Sequence, residues 1–382
     1  MRKRILTALM LVLVLILGAC TQSSNGSGKN ESGNIKVGAV LPLTGPSALY
    51  GQQTLDGAKL AAKMINDDGG ILKGRKITLV TEDDQSKPEL GVTKFKKLIE
   101  SDRVNAITGG LNSSVNMATK DVAKNKLLNV VTVSKAPEIM TDRDSFRFRL
   151  NSTNDMDGKA FHKFIAEQLK PKTVAVIAEN TDYGQAELKA LKKNWSGSGK
   201  PKIVATEFFD FTETDFTNPL TKLKSANADA LYVVGAGIEI NSAIFKQAHQ
   251  LGFNNTMKLL APGNINSKMV ELAGDVAEGI ISADLYQNTI DNEMNKEFVA
   301  AFEKEYNHKP EKVEMLGFES IWFVAKAMDK AGSSTDYKAI SKALESEDWQ
   351  SPRGDLKFEN GQALGEVIPL TVKDGKVVPY QQ

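Results

Sequence analysis

The sequence has few of the residues that form disulfides, metal sites or catalytic centres. Its 382 residues include one cysteine and three histidines. A lone cysteine cannot form an internal disulfide. His162, His249 and His308 have no spacing that would let two of them bind one metal ion. We therefore expect no metal, no cofactor and no catalytic histidine.

The chain also lacks the loops that bind nucleotides or activate a serine. It has no P-loop, and Gly197-Ser198-Gly199 lies in a polar linker, away from any strand end. Gly235-Ala236-Gly237 follows a strand, but Ile240 stands where a dinucleotide loop has its third glycine. These absences argue against an enzyme. An enzyme on the same scaffold would need a base or nucleophile that the sequence does not reveal.

A large charge of either sign is absent as well. The formal net charge is +1, with 41% hydrophobic and 25% charged residues, as in ordinary soluble globular proteins. Arg2, Lys3 and Arg4 lie in a segment expected to be removed, which leaves a slight excess of acid. Such a chain has no electrostatic attraction for nucleic acid.

The first twenty residues are predicted to be a lipoprotein signal peptide. The basic residues 2–4 precede an apolar run, Ile5–Leu17, that is shorter than the roughly 20 residues of a membrane span. Leu17-Gly18-Ala19-Cys20 resembles a bacterial lipobox, in which the cysteine receives the lipid. Residues 21–34 are polar and predict a flexible tether. We expect an extracytoplasmic protein held to the membrane of the cell envelope by this lipid; the alternative is an ordinary secretory signal with an incidental cysteine.

The stretch Ile35–Gly70 predicts one strand, one loop and one helix. Apolar residues from Ile35 to Leu41 indicate a buried strand, Pro42, Gly45 and Pro46 break it, and a helical pattern follows from Gly51. Strands and helices then alternate in two successive sets that meet near Asn151. The predicted elements of the second half include the helix Met156–Leu169, the strand Ala230–Val234 and a hairpin turn at Lys373-Asp374-Gly375-Lys376. This pattern predicts an α/β fold with two lobes, each a parallel sheet flanked by helices. Tyr50, at the mouth of the first helix, is placed to contact a ligand.

Three motifs of this region resemble a known family. They are LPLTGPSALYG from Leu41, NDDGGILKGRKITLV from Asn66 and EDDQSKPE from Glu82. They are similar to the amino-terminal signature of the leucine/isoleucine/valine-binding proteins, the solute receptors of branched-chain amino-acid ABC transporters. The resemblance implies a type I periplasmic-binding-protein fold with a three-segment hinge. It assigns 35–151 and 284–353 to lobe 1, and 152–283 and 354–382 to lobe 2.

The resemblance also implies several ligand-binding residues. Gly109–Ser114 joins a strand to a helix, and free N–H groups and hydroxyls at such a place suit a carboxylate. Ser113 matches the family's carboxylate-binding serine most closely, and Ser114 is a second candidate; either could simply cap its helix. Tyr183 matches the aromatic position of the second lobe and is expected to face Tyr50. Each tyrosine could equally be a partly exposed loop residue.

Two positions depart from the amino-acid-binding members of the family. Ser134 and Lys135 stand where a small residue and a threonine are usual, and Gly263-Asn264 replaces the acidic residue that neutralises the ligand's ammonium group. Ser134, Lys135 and Asn264 are candidate ligand-binding residues. Lysine attracts a carboxylate and repels an ammonium group, although Lys135 could be an ordinary surface lysine.

The sequence therefore predicts the solute-binding protein of an ABC importer. Its ligand would be a branched-chain amino acid or a related small polar solute, and its partners the permease subunits and the membrane. We expect a monomer. Two alternatives stay open, a carboxylate or amide that lacks an α-ammonium group, and a ligand-sensing module for a signalling receptor.

Overall fold

The computed structural model describes residues 33–143, 146–263 and 265–381. Strand β1 (Ile35–Leu41) lies second from one edge of the first sheet, with the edge strand β2 (Ile77–Asp83) and β3 (Ala106–Gly109) parallel to it on either side. β4 (Leu128–Val131) and β5 (Arg147–Arg149) continue this sheet in parallel register. Every residue of β1 except Lys36 is buried, as its apolar pattern predicts.

The second sheet contains β6 (Thr173–Glu179), β7 (Lys202–Phe209), β8 (Ala230–Val234), β9 (Lys258–Ala261) and β10 (Ile281–Asp284), all parallel. Its edge is completed by an antiparallel hairpin of β13 (Ile368–Lys373) and β14 (Lys376–Pro379), with β13 paired to β10. Asp374 and Gly375 form the turn, both with positive φ, which is the geometry favoured for two-residue hairpins. The predicted α/β fold of two mainly parallel sheets is confirmed.

Helices cover both sheets. The α-helices in the described part of the chain are α1 (Ala48–Asp67), α2 (Pro88–Lys97), α3 (Ser113–Thr119), α4 (Asn154–Asp157), α5 (Asp182–Asn194), α6 (Thr217–Lys224), α7 (Ile238–Gln250), α8 (Ser267–Ala273), α9 (Glu293–Tyr306), α10 (Lys312–Ala331) and α11 (Tyr337–Ser346). The helix predicted over Met156–Leu169 is present, since residues 154–169 are helical throughout, but its hydrogen bonding alternates between the α and π types. The sequence pattern did not predict α8.

Helices α1 and α10 cross at two glycines. A Cβ at Gly57 would lie 1.8 Å from the Glu314 carbonyl oxygen, and one at Gly317 would lie 1.9 Å from that of Thr54. Because these positions have no side chain, the two backbones are in direct contact. This crossing attaches α10, and with it Lys312, to the lobe of the first sheet.

The last part of the chain is divided between the two sheets. β11 (Phe358–Glu359) and β12 (Gln362–Ala363) extend the first sheet, because β12 pairs with β5 at Arg149. The sequence predicted that the whole tail from residue 354 onward belongs to lobe 2, and the strand pairing differs from this expectation. Its first strands belong with the first sheet, and only β13 and β14 join the second.

No helix among the described residues is both long enough and apolar enough to span a bilayer.

Candidate ligand-binding site

Two adjoining cavities lie between the sheets. The smaller, which we call the cleft cavity, has a volume of about 40 Å³ and is bordered by loops at the carboxyl ends of strands from both sheets. Its lining residues are Tyr50, Leu111, Asn112, Ser113, Val133, Lys135, Asn151, Tyr183, Ala236, Gly263, Lys312 and Val313. The larger, the outer cavity, measures about 150 Å³ and extends past Asp284 and Glu311. Both cavities include Tyr50, Gly263 and Lys312 in their walls, so they lie side by side.

Tyr50 lies in the first turn of α1 and borders both cavities. It is buried and packs in the apolar cluster that contains Ile265 and Val313. Burial raises the pKa of the Tyr50 phenol well above its usual value, and the acidic groups of Asp284 and Glu311 raise it further. The hydroxyl group therefore stays protonated and can donate a hydrogen bond to a ligand oxygen.

Ser113 and Ser114, the two predicted serines that follow β3, have different surroundings. Ser113 is buried in the wall of the cleft cavity, and its Oγ accepts a hydrogen bond from the Ala136 amide at 3.3 Å. Ser114 lies outside the lining, and its Oγ accepts from the Asp182 amide of the opposite lobe at 3.3 Å. The structure thus places Ser113 at the cavity and Ser114 at a contact between the lobes.

Ser134 lies beneath the site and does not line either cavity. Its Oγ is 3.0 Å from the carbonyl oxygens of both Gly110 and Leu111, and it accepts from Asn116 Nδ2 at 2.6 Å. Because these bonds engage the hydroxyl group, Ser134 holds the loop that carries Ser113. The structure therefore indicates a positioning role where the sequence suggested ligand contact.

Lys135 is buried and not a solvated surface lysine. Its side chain reaches from the first lobe into the cleft, where it forms an ion pair with Asp157 of α4 and lies 3.4 Å from the Pro262 carbonyl oxygen. Desolvation lowers the pKa of Lys135, but the carboxylates of Asp157 and Glu187 outweigh it and raise the pKa overall. Lys135 therefore carries a positive charge in the cavity wall.

Tyr183 faces the same cavity from the second lobe. It lies at the start of α5 and is 5% exposed, and its hydroxyl group is 3.5 Å from the Pro262 carbonyl oxygen. Gly263, with φ of 72°, follows Pro262 and borders both cavities. The predicted site residue Asn264 lies outside the described residues, as does Cys20.

Lys312 is the principal lining residue that the sequence did not reveal. It is the first residue of α10, and its ammonium group donates to the Gly263 carbonyl oxygen and lies 3.1 Å from Asp284 Oδ2. Desolvation lowers the pKa of Lys312, and the charge of Lys135 lowers it further, against the opposing effect of Asp284. A buried lysine at a helix amino terminus is unfavourable to the helix dipole. A lysine at the predicted start of this helix was therefore the one feature of the sequence that could have drawn attention to Lys312.

The remaining wall of the cleft cavity is mostly apolar. Leu111 and Val133 come from loops of the first lobe, Val313 from α10, and Ala236 from the loop after β8. Together with the rings of the two tyrosines, these side chains suit a ligand with an apolar body. Periodicity could not reveal these residues, since they belong to loops and helix ends.

The lobes are in contact around the site. Ser47 Oγ donates to the Ala236 carbonyl oxygen at 2.8 Å, and Asn112 Nδ2 donates to Ser47 Oγ at 3.0 Å. On the side of the outer cavity, the Ser267 amide and hydroxyl donate to Glu311 Oε1 at 2.8 and 2.7 Å. The bonds of Ser47 to Ala236 and of Ser267 to Glu311 join the loops of one sheet to those of the other, so the two lobes are in contact on both sides of the site.

A buried polar network centred on Glu187 contributes a negative charge that stabilises the ammonium group of Lys135. His162 Nε2 lies 2.9 Å from Glu187 Oε1, and Tyr232 donates to the same oxygen at 2.6 Å. Burial opposes ionisation, but His162 and Lys135 lower the pKa of Glu187 to about 2. His162 is thus held in a structural network. Within the described ranges, no group of three or more His, Cys, Asp or Glu residues could hold a metal ion.

Comparison with known sequences agrees with this architecture. Residues 34–376 match the family model described as periplasmic binding protein. A leucine-, isoleucine-, valine-, threonine- and alanine-binding protein of Pseudomonas aeruginosa is 30% identical over 328 residues, which cover 85% of this chain and 86% of that protein. A Leu/Ile/Val-binding protein homologue of Brucella abortus is 28% identical, with 94% and 92% covered.

Solved structures give the same result. A leucine-binding protein from Thermotoga maritima superposes with a TM-score of 0.83 at 26% identity, covering 91% of this chain and 98% of that one. A solute-binding protein of an ABC transporter from Rhodopseudomonas palustris, in complex with 3,4-dihydroxybenzoic acid, gives 0.82 at 26%, covering 90% and 95%. The chain belongs to the periplasmic binding protein family, with the type I fold of the leucine/isoleucine/valine-binding proteins.

Proposed function

We propose that this protein captures a small organic solute with an apolar body between its lobes and delivers it to an ABC importer. The observation that carries the proposal is the composition of the cleft cavity. Tyr50, Ser113 and Lys135 come from the first lobe, and Tyr183 and Gly263 from the second. A solute bound among them contacts both lobes only when the lobes are closed. Binding energy is thereby converted into closure.

Three crossings of the chain define the proposed hinge. The first lies near Asn151 and the second near Asp284, at the ends of β5 and β10. We place the third between Ala363 and Ile368, where the chain leaves the first sheet for the second. Asn151 Nδ2 donates to the Val133 carbonyl oxygen at 2.6 Å, and Asn151 also borders the cleft cavity. This arrangement suits hinge bending that opens and closes the site.

The rest of the proposal concerns the cell envelope. Lipid on Cys20 would hold the protein at the membrane surface, and the tether of residues 21–34 would give the folded lobes freedom to reach the permease. The protein would act there as a monomer that binds solute without chemically changing it.

A thermal-shift panel with the purified protein tests this function. It would contain leucine, isoleucine, valine, their 2-oxo and 2-hydroxy analogues, benzoates and small amides. A solute at one hundred times its Kd should add about 2.7 kcal/mol to the unfolding free energy. If no member of the panel raises the melting temperature and titration calorimetry detects no binding, the proposed function is wrong.

The Tyr183→Ala variant tests the contribution of the second lobe. Loss of the aromatic wall should raise the Kd of the solute at least tenfold, measured by calorimetry well below the melting temperature. Tyr306→Ala is the matched control, because Tyr306 lies in α9 and borders neither cavity. Equal affinity in the two variants would contradict the assignment of Tyr183.

A further inference from the structure

Two lysine ammonium groups converge on one point of the cleft. A Cβ built on Gly263 would lie 3.3 Å from Lys135 Nζ and 3.2 Å from Lys312 Nζ. Lys135 comes from the loop after β4, and Lys312 from the first turn of α10, so the two cations approach Gly263 on separate elements. Both border the cleft cavity. Their positive charges repel one another across a buried site, where solvent screening is weak.

The acidic groups near these lysines are already engaged. Asp157 pairs with Lys135, whereas Asp284 accepts from Lys312 at 3.1 Å and from the Leu285 amide at 2.8 Å. Among the described residues that line the cleft cavity, two are lysines and none is an aspartate or glutamate. The outer cavity includes Asp284 and Glu311, but Glu311 Oε1 accepts two hydrogen bonds from Ser267.

An ammonium group on the solute would therefore meet two cations and no uncommitted carboxylate in the cleft cavity. A carboxylate or carbonyl oxygen at the same place would be attracted by both lysines and would reduce their mutual repulsion. The absence of a side chain at Gly263 leaves a space beside the two ammonium groups, bounded on another side by the Ala283 carbonyl oxygen, 3.0 Å from a Cβ built there. Its backbone can also approach a ligand closely.

Building on the solute-binding function proposed above, we infer that the ligand is an organic acid without an ammonium group, whose oxygen atoms are held by Lys135 and Lys312. The apolar and aromatic wall gives this acid an aliphatic or aromatic body. The class comprises 2-oxo acids, 2-hydroxy acids and aromatic carboxylates.

Matched pairs of solutes test the inference by titration calorimetry. Leucine would be compared with 4-methyl-2-oxopentanoate and 2-hydroxy-4-methylpentanoate, phenylalanine with phenylpyruvate, and benzamide with benzoate. At least one acid without an ammonium group should bind at least tenfold more tightly than its amino-acid or amide partner. An amino acid that binds as tightly as its oxo and hydroxy analogues, or an amide that binds as tightly as its acid, overturns the inference and leaves the solute-binding function intact. Absence of binding by every solute overturns both.

Variants identify the groups responsible. Lys312→Met should weaken binding of the best acid at least tenfold, and Lys135→Met should do the same. Lys309→Met is the matched control, because Lys309 is exposed and borders neither cavity. If Lys312→Met fails to fold with Asp284 unpaired, the double variant Lys312→Met/Asp284→Asn removes both charges and should still lose the acid. Unchanged affinity in a folded lysine variant refutes the role of that lysine.

Discussion

The carboxyl group of Glu314 should make the protein less stable as the pH rises. Glu314 lies in the first turn of α10 and is fully buried. Its Oε2 accepts from the Glu311 amide at 3.1 Å, and among the described residues its Oε1 has no hydrogen-bond partner. Burial raises the pKa of Glu314, and the negative charge of Glu311 raises it further, to about 8. Glu314→Gln removes this ionisable group while keeping the shape of the side chain.

The sign and size of the effect follow from proton binding. Between pH 4.5, the ordinary pKa, and about pH 8, the folded protein keeps the Glu314 proton that the unfolded chain releases. Because the folded state then binds more protons, its stability falls as pH rises through this range. The pKa difference corresponds to a loss of at most about 5 kcal/mol, complete only above pH 8. The glutamine variant should not suffer this loss.

Urea unfolding of the two proteins at pH 5, 6, 7, 8 and 9 measures the effect. The variant should gain stability relative to the native protein at each step, and the gain should level off above about pH 8. Burial also raises the pKa values of Asp84 and Glu179 to about 7. Both proteins contain these two groups, so their pH-dependent contributions to stability cancel when the two proteins are compared. A difference that stays constant within about 1 kcal/mol from pH 5 to 9 would refute the reasoning.

Two further predictions concern packing and a buried ion pair. Gly317→Ala places a methyl group against the Thr54 carbonyl oxygen and should cost about 2 kcal/mol or more in urea unfolding; unchanged stability would show that the helices separate without cost. Arg353→Met leaves the buried carboxylate of Glu319 without its partner at 2.8 and 2.9 Å and should cost about 3–5 kcal/mol. Adding Glu319→Leu should recover part of that loss, and failure to recover any would mean that Arg353 acts chiefly through the Leu150 carbonyl oxygen, to which it also donates.

The fold could be predicted from the sequence because its signals are local. The strand β8, Ala230–Val234, was predicted residue for residue, since a short run of apolar residues between polar ones is typical of a strand buried on both faces. The turn at Asp374-Gly375 was equally clear, because few residues adopt positive φ at two successive positions. Helix α8 was missed because its seven residues are too few to establish a helical period.

The candidate site could be predicted only in part. Tyr50, Ser113, Lys135 and Tyr183 were predicted to bind the ligand, and the structure places all four in the wall of one cavity. Ser134 was assigned to the ligand because it stands where the amino-acid-binding members of the family carry a small residue of the binding loop. A neighbour in sequence, however, can point into the loop instead of the cavity. Lys312 was missed because it lies 177 positions after Lys135, and no local pattern connects the two.

By itself the sequence determined the alternation of strands and helices, the family and the type of loop that borders the proposed site. These depend on interactions between residues a few positions apart. Only the tertiary structure decided that Ser114 joins the lobes, that β11 and β12 return to the first sheet, and that Lys135 and Lys312 meet at Gly263. The physical reason is that charge repulsion and desolvation depend on distance in space. That distance is fixed by the sheets and by the crossing of α1 and α10.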